Sequence, residues 1–121
     1  MASYAKLTII GNLGSDPELR YEPDGTPLTS FAVAVNERRH SSGDEQHVQE
    51  HVQWFRVFCH GRLAETAQQS LAKGAPVYVE GPLHVRAFTT REGQKRLSLE
   101  LTAREMRVLS TPTPAPVGDE G

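Results

Sequence analysis

The stretch from residue 49 to residue 61 constrains the fold more than any other part of the chain, and it holds the only tryptophan. Its sequence is Gln-Glu-His-Val-Gln-Trp-Phe-Arg-Val-Phe-Cys-His-Gly. In a β-strand successive side chains point to opposite faces, which divides these residues into two sets. One set is Phe55, Val57 and Cys59, and the other is Trp54, Arg56, Phe58 and His60. A core needs only the first set, so the second predicts a binding surface.

The second set places an indole ring beside a guanidinium and an imidazole. Planar rings interleaved with positive charge suit unstacked bases and the phosphates between them. A second strand pattern repeats this arrangement, because alternation in residues 77–88 turns Arg86 and Phe88 outward together with Tyr78 and His84. The inward positions of that segment are Val77, Val79, Leu83 and Val85. Two strands are therefore predicted to present an aromatic ring and an arginine on the face away from the core.

Five segments alternate as half-buried strands, and one segment has helical spacing. The strand segments are residues 6–11, 28–36, about 51–60, 77–88 and 97–108. The helix follows Gly61, where apolar residues recur every four positions from Leu63 to Leu71 before Lys73-Gly74 ends it. Five strands with one helix between the third and the fourth predict an all-β, five-stranded OB-fold barrel.

Two polar segments connect these elements. Residues 37–50 lose the alternation and are predicted to form a polar loop before the strand that contains Trp54. Residues 89–96 form a hairpin tip with three basic residues, Arg91, Lys95 and Arg96. In the last strand, Leu97, Leu99, Leu101 and Ala103 alternate along one face.

The basic residues are concentrated in the second half of the chain, although the net charge is −2. Residues 1–50 hold four basic and eight acidic residues, whereas residues 51–107 hold nine basic and five acidic residues. Phosphate binding needs local positive potential rather than a positive average. This division therefore permits a basic groove on a mildly acidic protein.

Composition and spacing argue against several classes of protein. The 121 residues suffice for one domain with its own core, and no run of about 18 apolar residues could span a membrane. The chain start has no apolar signal core and the single cysteine cannot form an internal disulfide, so we expect a cytoplasmic protein. His47 and His51 have no third ligand nearby, and we predict no metal site and no cofactor. Cys59 and His60 point to opposite faces of a strand, so we predict no enzymatic activity.

Several runs of residues resemble one protein family. They are Ile-Gly-Asn-Leu-Gly-Ser-Asp-Pro-Glu-Leu-Arg-Tyr at residues 10–21, Trp-Phe-Arg-Val at 54–57, Gly-Arg-Leu-Ala-Glu at 61–65, Lys-Gly at 73–74 and Val-Tyr-Val-Glu-Gly at 77–81. The long first run is far more specific than any short motif. On these runs, which lie within residues 4–109, the chain resembles the bacterial single-stranded DNA-binding protein family.

The resemblance implies a homotetramer of OB-folds that wraps single-stranded DNA without sequence preference. Such a protein would protect the strand in replication, recombination and repair and would be found on the nucleoid. The resemblance also implies roles for four residues. It places Trp54 and Phe88 in stacking contact with bases, and Arg56 and Arg86 along the path of the DNA.

Two positions depart from the family at the DNA. Where the family commonly has an aromatic residue, this chain has His60, whose imidazole stacks less broadly than a phenyl ring. Where well-studied relatives carry a third stacking tryptophan, this chain has Arg39, so an ionic or cation–π contact is expected there. The complete set of residues predicted to bind DNA is Trp54, Arg56, Phe88, Arg86, His60, Arg39, Arg62, Lys73, Arg91, Lys95 and Arg96.

The subunit contacts and the end of the chain are also predicted. We place Lys6, Tyr78 and Phe55 at the subunit interface; the family usually has His at the position of Phe55, so subunit packing is expected to differ. Residues 1–109 are predicted to form the OB-fold domain and residues 110–121 a short, Pro-rich, disordered tail. Relatives typically end in several acids followed by Pro-Phe, which recruits replication and repair proteins, whereas this chain ends in Asp-Glu-Gly. Either the recruiting tip is absent from this chain or recruitment works differently.

One alternative function remains open from the residues. A dimeric OB-fold module could serve protein interaction, as a primosomal accessory protein does, and bind DNA only weakly. The presence of both Trp54 and Phe88, together with the basic residues of 51–107, favours the DNA-binding protein over this alternative.

Overall fold

The structure, a computed structural model, describes residues 5–41 and 44–109, with side chains for residues 5–37 and 50–109. The elements in chain order are β1 (Leu7–Leu13), β2 (Glu18–Tyr21), β3 (Pro27–Ser41), β4 (Asp44–His60), α1 (Arg62–Ser70), β5 (Pro76–Gly81), β6 (Leu83–Thr89), β7 (Lys95–Thr102) and β8 (Glu105–Val108). They form one eight-stranded sheet in the order β6-β7-β4-β3-β1-β5-β8, with β2 paired to β3. The pair β4–β7 is parallel. Within the described residues no ladder joins β6 to β8, so hydrogen bonds do not close the sheet.

The predicted β fold with one helix between the third and fourth predicted strands is confirmed, but the strands divide differently. The segment 77–88 becomes β5 and β6, the segment 97–108 becomes β7 and β8, and β2 is an additional short strand. Pro82 separates β5 from β6 because it has no N–H to donate to a ladder. Gly81, just before it, lies so close to the end of β7 that a Cβ would fall 1.9 Å from the carbonyl oxygen of Thr102.

The core is formed by alternate residues of the strands and by one side of α1. Its buried members are Ile9, Leu13, Phe31, Val33, Val57, Cys59, Ala64, Ala67, Leu71, Val77, Val79, Leu101 and Ala103. Thr29 is fully buried on β3 and donates its hydroxyl to the carbonyl oxygen of Ala64 over 2.8 Å. Gly61, with φ of 63°, makes the turn from β4 into α1. The sheet and the helix are therefore joined by packing and by one buried hydrogen bond.

The prediction of a polar loop at residues 37–50 is wrong. β3 and β4 form one long antiparallel hairpin, and their ladder continues from Leu28–His60 through Arg39–Gln49 to His40–Val48. Apolar alternation arises only where one face of a strand is buried. The outer half of this hairpin is polar, so its sequence carries no such signal although the backbone pairing continues.

The inward orientation predicted for Val85 is also wrong. The side chain of Val85 is 55% exposed, and that of Leu97, which alternates along β7 with the buried Leu101, is 69% exposed. β7 pairs with β4 only through residues 100–102, opposite residues 56–58, and the rest of the β6–β7 hairpin extends beyond the core. Alternation gives the face of a side chain correctly here, but it does not reveal whether another element covers that face.

Candidate nucleic-acid interface

Trp54 and Arg56 lie on the face of β4 that points away from the core. The ladder places Trp54 opposite Ala34 and Arg56 opposite Ala32 on β3. Because directly opposed residues of an antiparallel pair share a face, only small side chains flank the indole on that strand. The indole is 51% exposed and Arg56 is also exposed. The surface predicted from alternation is therefore present on β4, where Phe58 is half-buried and His60 exposed.

Gly14 lies against the indole, a contact that the sequence does not reveal. A Cβ at position 14 would fall 2.5 Å from Cζ3 and 2.7 Å from Cη2 of Trp54, so any larger residue would displace the ring from this position. The Gly14 amide donates to the Ala32 carbonyl oxygen over 2.9 Å. The following turn is held by Asp16, whose carboxylate accepts a hydrogen bond from the Lys73 amide at 2.8 Å. Part of the run at residues 10–21 thus positions the tryptophan.

Phe88 lies on the opposite side of a groove from Trp54. It is on β6, in register with Arg96 on β7, and is 40% exposed. The groove has a volume of about 330 Å³. Its lining residues are Ala32, Trp54, Phe55, Arg56, Phe88, Leu97, Ser98 and Leu99. The structure thus brings two aromatic rings from separate strands and one guanidinium into one surface depression.

Arg86 lies next to Phe88 and is held by an acidic residue. Its guanidinium carbon is 6.0 Å from the centroid of the phenyl ring, the outer limit of a cation–π contact. Its Nε donates to Oε2 of Glu100 over 2.9 Å. Glu100 is also in register with Arg56 on β4. In the sequence, Glu100 is one of five acidic residues in the basic half of the chain, and nothing there identifies it as the partner of Arg86.

The basic hairpin tip extends the groove. A second depression, of about 390 Å³, is lined by Ala87, Phe88, Thr89, Lys95, Arg96 and Leu97. The Arg96 guanidinium donates to Gln94 Oε1 over 2.8 Å, and Arg91 lies in the exposed turn between β6 and β7. Phe88 lines both depressions, so basic residues of the tip follow directly after the aromatic pair.

Two other residues predicted to bind DNA, His60 and Arg62, lie farther away. His60 ends β4, about 20 Å along the strand from Trp54 at about 3.3 Å per residue. Arg62 follows at the start of α1. The exposed Lys73 lies in the loop that Asp16 binds. The side chain of Arg39 lies outside the described residues. The structure therefore groups Trp54, Arg56, Arg86, Phe88, Lys95 and Arg96, and leaves His60 and Arg62 apart from them.

The residues predicted for the subunit interface lie on two parts of the sheet. Lys6 forms an ion pair with Glu80, and the Tyr78 hydroxyl donates to the same carboxylate at 2.5 Å. These bonds, first that from Lys6, lower the pKa of Glu80, and the bond to Glu80 raises the pKa of Tyr78. Phe55 is half-buried and packs against the protein's own core. Partner contacts at Lys6, Tyr78 and Phe55 stay predictions.

Cys59 has no features of a nucleophile. Its side chain is fully buried, and that burial raises the pKa of the thiol to about 12, so it is protonated at neutral pH. The neighbouring His60 is exposed on the other face of β4. Among the side chains of residues 5–37 and 50–109, no three His, Cys, Asp or Glu residues are grouped to hold a metal ion.

Comparison with known proteins assigns the family. The model of the Single-strand binding protein family matches residues 4–109. The chain belongs to this family. A curated member of it, Single-stranded DNA-binding protein 1 of Xylella fastidiosa (strain 9a5c), is 43% identical over 109 residues, which are 90% of this chain and 79% of the relative. The predicted resemblance is confirmed, and the family is one of DNA-binding proteins without enzymatic activity.

Solved structures of family members confirm the OB-fold. The small single-stranded DNA-binding protein from Streptomyces coelicolor is 33% identical, with a TM-score of 0.73 over 87% of this chain and 94% of that one. The fold also matches the Plasmodium falciparum SSB complex with ssDNA, at 23% identity and a TM-score of 0.78 over 91% of this chain and 98% of that one. In the described part of this family member, no helix has the length and apolar character needed to cross a bilayer.

Proposed function

We propose that this chain binds single-stranded DNA in the groove between Trp54 and Phe88, without sequence preference. The observation that carries the proposal is the pair of exposed aromatic rings in one groove with Arg56 beside them. Bases stack on such rings through their π-faces, which all four bases possess, and each stacked base contributes about 1–3 kcal/mol. Binding of this kind protects exposed strands during replication, recombination and repair.

The charges along the groove are proposed to bind the phosphates between stacked bases. Arg56 and Arg86 flank the aromatic pair, and Lys95 and Arg96 continue the positive surface along β7. Each phosphate neutralised releases condensed counterions, so affinity should fall with rising salt. The proposed path therefore runs from Trp54 past Phe88 to the hairpin tip.

The assembly proposed for the chain is a homotetramer. The ladder from β1 to β3 covers only Asn12 and Leu13 in the described residues, although β1 pairs with β5 from Leu7 to Asn12. An open strand edge with the exposed Ile10 on β1 favours pairing with a second copy. Lys6, Glu80 and Tyr78 lie at the same part of the sheet. Two such dimers would place four grooves on one particle.

The cellular setting follows from the proposed partner. A protein that binds exposed DNA strands would lie in the cytoplasm on the nucleoid. The prediction that the recruiting tip is absent or that recruitment of replication and repair proteins works differently is not tested, because residues 110–121 lie outside the described part of the chain.

Fluorescence titration with an oligo-dT strand tests the proposed function. Trp54 is the only tryptophan, so quenching reports directly on the groove. We expect quenching and a stable complex at low salt, weaker binding as salt rises, and similar affinities for other homopolymers of matched length. Absence of both quenching and complex at low salt would rule out the DNA-binding proposal and favour the protein-interaction module.

A further inference from the structure

Glu100 occupies the centre of the positive surface. The backbone register places it between Arg56 on β4 and His84 on β6. Its side chain is only 18% exposed. The carboxylate accepts one hydrogen bond from Arg86 Nε at 2.9 Å and one from the Ser98 hydroxyl at 3.2 Å. An acid in this position needs explanation, because it opposes the binding of phosphate.

The geometry of Arg86 supplies that explanation. Its bond to Glu100 uses Nε, which leaves both Nη groups available to a phosphate. The guanidinium is held at the same time beside the ring of Phe88, at 6.0 Å from its centroid. A long, exposed arginine side chain loses considerable rotamer freedom when it binds a ligand, and a bond at Nε reduces that loss in advance.

We infer that Glu100 is a positioning residue for the DNA-binding function proposed above. It holds Arg86 through Nε so that the Nη groups face the phosphate next to the base that stacks on Phe88. Its charge has the opposite effect, because it lowers the positive potential that attracts the strand. Glu100 thus has two opposing effects on affinity. Its hydrogen bond orders Arg86, whereas its negative charge weakens the attraction of the strand.

Two substitutions in the full chain separate these effects. E100Q and E100A both remove the negative charge, but only glutamine retains an oxygen that can accept the hydrogen bond from Arg86. Removing one charge about 7 Å from a bound phosphate should strengthen binding by at least about threefold at low salt, even at the dielectric constant of water. We therefore expect E100Q to bind oligo-dT more tightly than the unsubstituted chain. We expect E100A to bind roughly fivefold more weakly than E100Q, because the retained bond reduces in advance the rotamer-ordering cost of one long side chain, which has about that effect on affinity.

The same pair in an R86A background provides the control. Without Arg86 there is nothing for the retained oxygen to hold, so E100Q and E100A should bind equally in that background. Denaturant unfolding of all the variants identifies any that lose the fold, and comparisons are restricted to those that retain it.

Equal affinities of E100Q and E100A with Arg86 present would overturn the positioning role. An E100Q affinity equal to or below that of the unsubstituted chain would overturn the effect of the charge. Both outcomes require that the unsubstituted chain binds oligo-dT with quenching of Trp54. Its failure to bind would instead remove the proposed function itself, so the two failures are distinguishable.

Discussion

Trp54 can serve as a stacking platform because of the residues that surround it rather than its identity alone. Ala34 opposite it on β3 is small, and Gly14 beside its six-membered ring has no side chain. A larger neighbour at either position would cover the ring or displace it. The half of the indole surface that remains exposed is available to a base.

Trp54→Ala should weaken binding to every sequence by a similar amount. Loss of one stacking platform removes about 1–3 kcal/mol, and stacking does not depend on the hydrogen-bonding edges of the bases. Because the substitution removes the fluorescent reporter, affinities for matched dT, dC and dA strands would be measured by the anisotropy of labelled strands. A loss confined to one homopolymer would contradict stacking as the role of Trp54.

Gly14→Ala should reduce DNA binding with little loss of stability. Gly14 is not among the glycines with positive φ, so alanine suits the backbone, but its Cβ would displace the indole. The ring can move because the atoms that the Cβ would meet lie at the far end of a half-exposed side chain, and stacking geometry changes with it. The expected affinity loss is below the about 3 kcal/mol limit for one stacked base. In a Trp54→Ala background, Gly14→Ala should have no further effect on affinity, and an equal loss there would contradict this role.

At the scale of elements, α1 is joined to β3 by a hydrogen bond that water cannot replace. Thr29→Val removes the buried hydroxyl and leaves the Ala64 carbonyl oxygen without that donor, which should lower the free energy of unfolding by about 1–3 kcal/mol. Thr66→Val is the matched control, because the Thr66 hydroxyl bonds to the Arg62 carbonyl oxygen at an exposed site. Urea denaturation measures both variants. Equal losses in the free energy of unfolding of the two variants would contradict a greater stabilising effect of the buried Thr29 hydrogen bond.

The sequence predicts those features of the elements that a buried face dictates. Trp54 and Arg56 are assigned to the outer face correctly because Phe55 between them packs against the core and the following alternate residues, Val57 and Cys59, are buried. The β3–β4 pairing continues beyond residue 36 through a polar stretch of sequence that shows no apolar alternation. The exposure of Val85 depends on how far β7 pairs with β4, which is a property of tertiary structure.

The part of the site that lies on half-buried strands was also predictable, because alternation assigns each side chain there to a face. Alternation places Arg86 and Phe88 on one face, and the structure has them together across the groove from Trp54. The contact of Gly14 with Trp54 joins residues that are distant in the chain. The contact of Glu100 with Arg86 involves an acidic residue, whereas the residues predicted to bind DNA are basic or aromatic. No periodicity contains such pairs, so only the folded chain reveals them.

At the scale of the whole molecule, the proposed tetramer would change how tightly DNA is held. A strand bound in one groove is presented to the next groove at high effective concentration, so total affinity exceeds that of a single site. This gain requires that the copies remain associated. The cluster of Lys6, just before β1, with Glu80 and Tyr78 on β5 is where we expect assembly to depend on ionisation.

The native mass should correspond to four copies of the 13.4 kDa chain at pH 7 and fall in acid. The hydrogen bonds from Lys6 and Tyr78 lower the pKa of Glu80 below its ordinary 4.5, so the ionised form favours the folded protein, on which the proposed assembly depends. That contribution is complete above about pH 4.5 and is lost as the pH falls through the lowered pKa.

Glu80→Gln should weaken assembly at pH 7 and reduce its dependence on acid. Glu18→Gln is the control, because Glu18 pairs with Arg20 at an exposed site on β2, away from Glu80. Native mass spectrometry across pH 3–8 measures all three chains, and a monomeric mass at pH 7 for the unsubstituted chain would contradict the assembly.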